Sequence, residues 1–265
     1  MRIVTWNVNS LKVRLERVVA WIAKNEPDVA LLQETKVADA AFPKSAFTDI
    51  GYATAHHGDG RWNGVAIASR IGLEDVRSGF TSATSDLANE SRLIAATCGA
   101  LQVYSVYVPN GREVGSTFFQ AKLGWLADFR CELDATGKAD QPLVVGGDFN
   151  IAPTDDDVYD IAKFEGATHV TAAERGAFES ILSFGLEDVV RSVHPDEKGP
   201  FSWWDYRAGA FHKGEGMRID LVLASAPLSG RVKAAFVDRD ARKKGEFADP
   251  PSDHAPVIVD FAFDN

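Results

Sequence analysis

The sequence is poor in cysteine and has no long apolar run. It contains only two cysteines, Cys98 and Cys131, in 265 residues. Two isolated cysteines are too few for a zinc site or a disulfide framework, so we expect both to be reduced structural thiols. No apolar run approaches the roughly 20 residues needed to span a bilayer, and the chain starts directly with a strand pattern rather than a secretory signal. We therefore expect a cytoplasmic protein without a membrane partner.

Positive charge is also scarce, because 28 lysines and arginines face 38 aspartates and glutamates, for a net charge of -10. This balance argues superficially against a nucleic-acid partner, since a polyanion is repelled by carboxylates. A divalent cation would reverse the effect of the carboxylates that bind it, and a local basic rim can coexist with an acidic surface. The candidates for such a rim, each of which is equally interpretable as a solvated surface charge, are Lys12, Arg14, Arg17, Lys36, Arg61, Arg112, Arg239, Arg242, Lys243 and Lys244.

No linker rich in Ser, Gly or Pro divides the chain. A content of 45% hydrophobic and 25% charged residues is typical of a globular protein with a sizeable core. β-rich folds of several layers often reach this length as one unit. We therefore expect residues 1–265 to form a single domain.

Short apolar segments alternate with amphipathic ones, which predicts an α+β fold. Apolar residues spaced as on one helix face predict helices over 11–25 and 116–133, and a capping box at Thr171 predicts a third helix that stops at Gly185. Runs rich in Val, Leu and Ile predict strands at 3–6, 29–32, 65–69, 93–97, 101–108, 143–145, 219–224 and 257–261. Residues 63–69 resemble 218–225, which suggests two similar sheets packed face to face with helices outside.

Polar side chains follow several of these strands at the point where each strand ends. Asn7 follows the first strand, Glu34 the second, and Asp148 with Asn150 a later one. Sheets place strand ends side by side, so these residues can converge on one cleft. A hard cation such as Mg²⁺ prefers oxygen ligands, and Glu34 with help from Asn7 and Asp253 meets that preference.

His254 requires a partner that fixes its tautomer and supports its positive charge. Asp220 interrupts an otherwise apolar strand, where a carboxylate would be costly to bury unpaired. We therefore predict an Asp220–His254 pair. The remaining histidines lack such a setting and are interpreted as surface or packing residues: His56, His57, His169, His194 and His212.

Short motifs in a fixed order extend this pattern over essentially the whole chain. They are Trp6-Asn7-Val8-Asn9-Ser10, Leu32-Gln33-Glu34-Thr35-Lys36, Trp62-Asn63-Gly64-Val65-Ala66, Tyr107-Val108-Pro109-Asn110-Gly111, Gly147-Asp148-Phe149-Asn150, Trp204-Asp205-Tyr206, Arg218-Ile219-Asp220 and Ser252-Asp253-His254-Ala255-Pro256. Each motif alone is weak, but in this order they strongly resemble the exonuclease III family of abasic-site endonucleases, in its bacterial form.

The resemblance implies a four-layer αββα sandwich of two packed mixed sheets. It also implies Mg²⁺-dependent hydrolysis, with Mn²⁺ as a substitute, of the phosphodiester 5′ to abasic sites in duplex DNA. The products would be a 3′ hydroxyl and a 5′ deoxyribose phosphate, with trimming of blocked 3′ ends or 3′-5′ exonuclease activity as a second function. The enzyme would act as a monomer.

The resemblance further assigns roles to individual residues. The implied catalytic residues are Tyr107, Asp148, Asn150, Asp220 and His254. The implied metal site comprises Asn7, Glu34, Asp148, Asn150 and Asp253, with Glu34 as the principal ligand. The implied DNA contacts are Asn110, Arg112, Trp203, Met217 and Ile219, of which the last three would wall a pocket for the base-free sugar.

Two other functions remain open from the sequence. A phosphatase or phosphodiesterase acting on inositol or lipid phosphates shares the Asp-x-Asn and Asp-His chemistry. A non-catalytic DNA-binding relative would keep the fold but lose a metal ligand or the Asp-His pair, whereas here every such position is filled.

Overall fold

The computed structural model describes residues 1–245 and 247–262, and its centre consists of two six-stranded sheets. The first sheet has the order β13 (Val232–Val237), β14 (Val257–Phe261), β1 (Arg2–Asn7), β2 (Val29–Gln33), β4 (Val65–Ser69), β3 (Ala53–His57). The second has the order β5 (Glu74–Ser78), β6 (Leu93–Cys98), β7 (Leu101–Tyr107), β8 (Leu143–Asp148), β12 (Asp220–Ser225), β9 (Leu186–Asp188). A short ribbon of β10 (Trp203–Trp204) and β11 (Gly216–Met217) lies beside them.

The two sheets follow the same pattern of strand directions. In each sheet one central pair is parallel, β1 with β2 and β7 with β8, and all other neighbours are antiparallel. The similar segments noted in the sequence form β4 and β12, which hold the same place in the two sheets. The internal resemblance therefore corresponds to an equivalence between the halves of the fold.

Helices flank both sheets. They are α1 (Leu11–Asn25), α2 (Lys44–Thr48), α3 (Thr117–Thr136), α4 (Ala172–Leu182), α5 (Val189–Val193), α6 (Ala210–Lys213) and α7 (Ala226–Ser229). Those that begin at Leu11 and Lys44 cover the outer face of the first sheet, and those that begin at Thr117 and Ala172 cover that of the second. The short helices that begin at Val189 and Ala226 pack against the core between the sheets. Short 3₁₀ turns occupy Asp39–Ala41, Asp155–Asp157, Ile161–Phe164 and Arg239–Arg242. Within the described residues, none of these helices is long and apolar enough to cross a membrane.

Three apolar clusters fill the spaces between the layers. In β1, Ile3 points into the core between the sheets, whereas Val4 points to the outer face beneath α1. In β8, Val144 points to the same central core, and Val145 packs under α3 and α4. Because successive side chains of a strand point to opposite faces, strands buried on both faces have continuous apolar sequences. The predicted αββα sandwich is confirmed.

The ends of the predicted elements differ in detail. The capping box at Thr171 is present, with its side chain accepting a hydrogen bond from the Glu174 amide, but α4 ends at Leu182, three residues before Gly185. The strands β3, β5, β9 and β13 were not predicted. Within the described residues, Cys98 and Cys131 are free thiols, one buried and one exposed, as expected.

Candidate active site

The candidate site lies at one edge of the sandwich, where strand ends from both sheets meet. Asn7 ends β1, and Glu34 directly follows the parallel strand β2. In the second sheet, Tyr107 and Asp148 end the parallel strands β7 and β8 side by side, and Asp220 starts the antiparallel strand opposite Asp148. Parallel strands end at a common edge, so this topology brings together residues that are far apart in sequence.

Gly147 allows the two strands of the second sheet to approach each other at this edge. A Cβ atom at Gly147 would lie only 1.9 Å from the carbonyl oxygen of Val106. Any other residue would push β7 and β8 apart beside Asp148. The glycine of the Gly-Asp-Phe-Asn motif therefore has a steric function that supports the placement of the carboxylate.

Asn7 joins the carboxylates of the two sheets. Its buried side-chain Nδ2 donates to Oε1 of Glu34 and to Oδ2 of Asp148, both at 2.9 Å, and its Oδ1 accepts from the Asn9 amide at 3.0 Å. The other oxygen of Glu34, Oε2, pairs with Nζ of Lys36 at 2.7 Å. Asn7 thus spaces two acidic groups with one amide, because a carboxamide nitrogen carries two donors.

His254 is held between two carboxylates. Its Nδ1 donates to Oδ2 of Asp220 at 2.8 Å, and its Nε2 lies 3.8 Å from Oδ2 of Asp148. Ser202 Oγ donates to the same Asp220 oxygen at 2.6 Å. The imidazole and Asp220 are buried, so this pairing fixes which ring nitrogen faces Asp148. The predicted Asp220–His254 contact is therefore present in the structure.

The electrostatics of this group favour proton exchange near neutral pH. Burial raises the pKa of Asp148 to about 7, the charges of Asp220 and Glu34 add to this effect, and His254 opposes it. Burial would lower the pKa of His254, but Asp220, followed by Asp148 and Asp253, raises it to about 10. The ring is therefore cationic at neutral pH. Perturbed pairs of this kind are typical of sites that move protons.

The donor atoms at this edge suit a hard divalent cation. Oxygens of Glu34 and Asp148 and a ring nitrogen of His254 all lie within 4.8 Å of one another. Two carboxylates that face each other across Asn7 raise each other's energy until a positive charge balances them. The residues present therefore fit a metal ion on the Glu34 and Asp148 oxygens, with the cationic His254 beside it.

Asp253 lies next to this group, but its carboxylate oxygens accept hydrogen bonds from Asn9 and Trp203. Its Oδ1 accepts from Nδ2 of Asn9 at 2.9 Å, and its Oδ2 accepts from Nε1 of Trp203 at 3.1 Å. Burial would raise the pKa of Asp253, but the His254 charge and these two hydrogen bonds lower it. The carboxylate therefore remains ionised, and both of its oxygens are already engaged by neighbouring side chains.

Tyr107 and Asn150 complete the edge on the side of the second sheet. Loss of solvation, together with the Glu34 charge, raises the pKa of Tyr107 well above its usual value, so the phenol stays protonated. Asn150 has a left-handed φ of 50° and its amide donates to Oδ1 of Asp148 at 2.9 Å. Its side chain accepts from Nδ2 of Asn110 at 3.0 Å and donates to the Val108 carbonyl at 3.0 Å.

A cavity of about 510 Å³ is connected to the site through Trp203, which lines it and whose Nε1 donates to Asp253. Trp203, Met217 and Arg112 line it, as the sequence predicted for two walls of a sugar pocket and one DNA contact. Ile219, predicted as a third wall, is 2% exposed and packs behind Met217 against Ala152. Its side chain belongs to the small apolar cluster beneath the cavity rather than to the lining.

Residues 4–254 match the Endonuclease/Exonuclease/phosphatase family. The chain belongs to this family. It is 34% identical over 272 residues to exodeoxyribonuclease III of Haemophilus influenzae, with 98% of this chain and 100% of that protein covered. The resemblance drawn from the motifs is thereby confirmed.

Solved structures of other family members agree with this assignment. An AP endonuclease from Archaeoglobus fulgidus is similar at a TM-score of 0.93 and 37% identity, with 99% of this chain and 100% of that chain covered. A 3′ phosphatase from Neisseria bound to a product DNA hairpin is similar at a TM-score of 0.91 and 38% identity, over the same shares of both chains.

One histidine contacts the site in a way that the sequence did not indicate. His169, interpreted as a surface or packing histidine, lines the cavity at a left-handed φ of 81°. Its Nδ1 lies 2.6 Å from the main-chain oxygen of Asn150, and burial lowers its pKa to about 4. The ring is therefore neutral and donates to that carbonyl. Nothing in the local sequence indicates this, because the contact joins two loops.

Several candidates for the basic rim are buried in structural positions. Arg14 donates to the Pro250 carbonyl and to the Tyr206 hydroxyl, each at 3.0 Å. Arg17 donates to the carbonyls of Lys244 and Asp249. Arg242 lies over the Tyr206 ring, 4.7 Å from its centre. These three arginines hold the segment before His254 in place and are neither solvated charges nor accessible to a polyanion.

Proposed function

We propose that the chain is a metal-dependent hydrolase of DNA phosphodiesters. It cleaves 5′ to abasic sites in duplex DNA, leaving a 3′ hydroxyl and a 5′ deoxyribose phosphate, and it removes blocking groups or nucleotides from 3′ ends. The observation that carries the proposal is the buried group in which His254 stands between Asp220 and Asp148, 3.8 Å from the latter. The names of the relatives, which act on DNA, favour this substrate over inositol or lipid phosphates.

In the proposed reaction Asp148 acts on the attacking water, and His254 acts on the scissile phosphate. Asp148 orients the attacking water and accepts its proton as a general base. The cationic His254, held by Asp220, donates a hydrogen bond to the scissile phosphate and stabilises the charge that develops there. Tyr107 contacts the same phosphate as a protonated phenol, and Asn150 orients the water beside Asp148.

Mg²⁺, with Mn²⁺ as a substitute, is the proposed metal. Glu34 would hold it as the principal ligand, with Asp148 as the second carboxylate. The bound ion would supply Lewis-acid stabilisation of phosphate charge. Asn7 sets the distance between the two carboxylates, because its side-chain amide donates to both. Asp253 accepts hydrogen bonds from Asn9 and Trp203 and lies next to the two carboxylates.

The cavity lined by Trp203 is the proposed place for the base-free sugar. Trp203 and Met217 form its walls, with Ile219 behind Met217, and an intact nucleotide would have to bring a base into the same space. Asn110 and Arg112 contact the DNA backbone from the neighbouring loop, where Arg112 lies 3.7 Å from the centre of the Phe118 ring. All these residues come from one chain, so we propose that a monomer is active.

A panel of substrates tests the proposal. Three labelled duplexes are compared with Mg²⁺ and with EDTA: one with an internal tetrahydrofuran abasic analogue, one with a 3′ phosphate at a nick, and one intact. An inositol polyphosphate serves as the non-DNA substrate. We expect Mg²⁺-dependent cleavage of the first two duplexes and none of the inositol compound. Cleavage of the inositol compound alone, or none in any sample, would overturn the proposal.

Binding must be measured alongside cleavage, because a non-catalytic relative would still bind the duplexes. The matched control is Asp148→Asn, which changes one oxygen to nitrogen and preserves the shape of the site. We expect this variant to bind the abasic duplex and to lack activity. Equal cleavage by the variant and the wild type would assign the hydrolysis to a contaminating nuclease.

A further inference from the structure

A lysine of α3 is buried beneath the candidate site. Lys122 is 0% exposed, and its ammonium group has three hydrogen-bond partners. Nζ donates to the main-chain oxygen of Asn150 at 2.6 Å, to that of Asn110 at 3.4 Å and to Oε1 of Glu174 at 2.5 Å. An ammonium group carries three donors, so every donor is used. Two of the three face the main chain of residues at the site.

The two carbonyls that Lys122 contacts belong to residues that are themselves joined. Nδ2 of Asn110 donates to Oδ1 of Asn150 at 3.0 Å. Asn150 has a left-handed backbone, and Gly111 next to Asn110 has a φ of 84°. A Cβ at Gly111 would lie 2.9 Å from Cδ of Lys122. The aliphatic part of the Lys122 side chain therefore packs against Gly111, and its ammonium group links the main chain of Asn110 to that of Asn150.

Glu174 extends the same connection to a third segment. Its Oε1 also accepts from Thr168 Oγ1 at 2.7 Å and from the His169 amide at 2.9 Å. His169 in turn contacts the Asn150 carbonyl. The Lys122–Glu174 pair thus holds three segments that border the site: the Asn110 loop, the Asn150 turn and residues 168–171.

We infer that Lys122 is a positioning residue of the hydrolytic site, which fixes the side-chain amides of Asn110 and Asn150 by holding both main-chain carbonyls. The inference rests on the proposed function for its effect on rate. Stability alone does not account for the pair, since an apolar pair of similar volume often stabilises a core at least as well as a buried ion pair. The ammonium adds directed hydrogen bonds to two loops, which apolar packing would not supply.

The test compares the wild type with the double variant Lys122→Met/Glu174→Gln. Removing Lys122 alone would leave a buried, unpaired carboxylate and endanger folding, whereas the double variant removes both charges together. The matched control is Arg130→Met on the same helix. Arg130 also ties α3 to the α4 region, through the Ser180 carbonyl at 2.8 Å and the Phe184 ring, but it does not contact the site loops.

We expect the double variant to lower kcat for abasic cleavage by about 100-fold relative to the wild type, since small displacements of positioning groups have such effects. KM should change by less than about threefold, because few ground-state contacts are lost. In an Asn110→Ala/Asn150→Ala background, the same two substitutions should lower kcat by no more than about threefold, since both side-chain amides that Lys122 positions are gone. A full loss in that background, or the same loss in Arg130→Met, would overturn the inference.

A second readout does not depend on cleavage. The side-chain amide resonances of Asn110 and Asn150 in ¹⁵N–¹H spectra should shift or broaden in the double variant and stay in place in Arg130→Met. Unchanged amide resonances in the double variant would overturn the inference. If the wild type cleaves no DNA, the proposed function fails, while these spectra still decide whether Lys122 orders the two asparagines.

Discussion

Nε2 of His254 lies 3.8 Å from Oδ2 of Asp148, while Nδ1 of the same ring is 2.8 Å from Oδ2 of Asp220. The imidazole therefore has one carboxylate at each nitrogen. The Asp220 contact orients the ring and keeps it protonated, and the opposite N–H is directed toward the cleft that Asp148 shares. In this arrangement the main contribution of Asp220 to the reaction is to orient His254 and keep it protonated.

Replacement of Asp220 by alanine tests that dependence. We expect Asp220→Ala to lower kcat by about 10-fold to 100-fold, as is common when a group that orients a functional histidine is lost. The double variant with His254→Ala should be little worse than the more impaired single variant, because both changes remove one function. Losses that multiply fully would show that Asp220 acts independently of the ring.

Asp148→Asn should separate catalysis from binding. We expect the rate of incision of an abasic duplex to fall by about 100-fold to 10,000-fold or more, which is the usual loss when a general base is removed. The affinity for the duplex should change by only a few-fold. Because burial and neighbouring carboxylates disfavour the ionised form of Asp148, the variant should also resist thermal unfolding in EDTA at pH 8 better than the wild type. Parallel losses of binding and turnover would instead make Asp148 a structural residue.

A buried ion pair below the cavity sets a pH dependence of stability. Burial would raise the pKa of Asp157, but Arg218, with Nε at 2.6 Å, and Arg191 outweigh it and lower the pKa. A lowered carboxyl pKa stabilises the fold above the unfolded value of about 3.9, and this contribution is lost as the pH falls through the folded pKa. Asp157→Asn should therefore lower the free energy of unfolding at pH 7 by about 3–5 kcal/mol, because the buried Arg218 loses a charged partner.

The difference in the free energy of unfolding between Asp157→Asn and the wild type should shrink as the pH falls below about 4, because there the Asp157 carboxylate of the unfolded wild type starts to take up a proton while the folded one stays ionised. Urea unfolding at pH 7, 5 and 3.5 measures this. Asp240→Asn is the control, since its carboxylate is exposed and pairs only with the exposed Lys243. A difference that stays constant down to pH 3.5 would contradict the assigned pKa direction.

Trp203 combines two functions that substitution can separate. Its ring lines the cavity, and its Nε1 donates to Asp253 at 3.1 Å. Trp203→Ala should keep the Mg²⁺ requirement and lose preference for abasic over intact duplex. Trp203→Phe keeps an aromatic wall without the hydrogen bond, so it should retain most of the preference. Relative kcat/KM values on the two duplexes give the answer, and unaltered selectivity in Trp203→Ala would assign the ring to packing alone.

Much of the fold could be predicted because most strands are buried on both faces. Residues 143–145 and 221–224 are continuously apolar since one side faces the other sheet and the other faces helices. The strand Glu74–Ser78 was missed because all five of its residues are exposed, which leaves no apolar pattern to find. Its conformation comes from pairing with Leu93–Cys98 rather than from its own sequence.

The site could be predicted in part for a similar reason. Asn7 and Glu34 interrupt the pattern where buried strands end, and the topology then brings them together. His169 and Lys122 give no such signal. Lys122 would pass for a solvated helical lysine, and its burial depends on Glu174, 52 residues away. Contacts between loops of this kind arise only from the tertiary structure.

The most direct test of the proposed hydrolysis is to follow the oxygen of water into the product. Single-turnover cleavage of a duplex with one tetrahydrofuran site is run in H₂¹⁸O with Mg²⁺, and both product strands are analysed by mass spectrometry. We predict one ¹⁸O atom on the 5′ phosphate of the downstream strand and an unlabelled 3′ hydroxyl on the upstream strand. An unlabelled 5′ phosphate would contradict attack by water at this phosphorus, and a phosphate left on the upstream 3′ end would contradict cleavage of the bond between phosphorus and the 3′ oxygen.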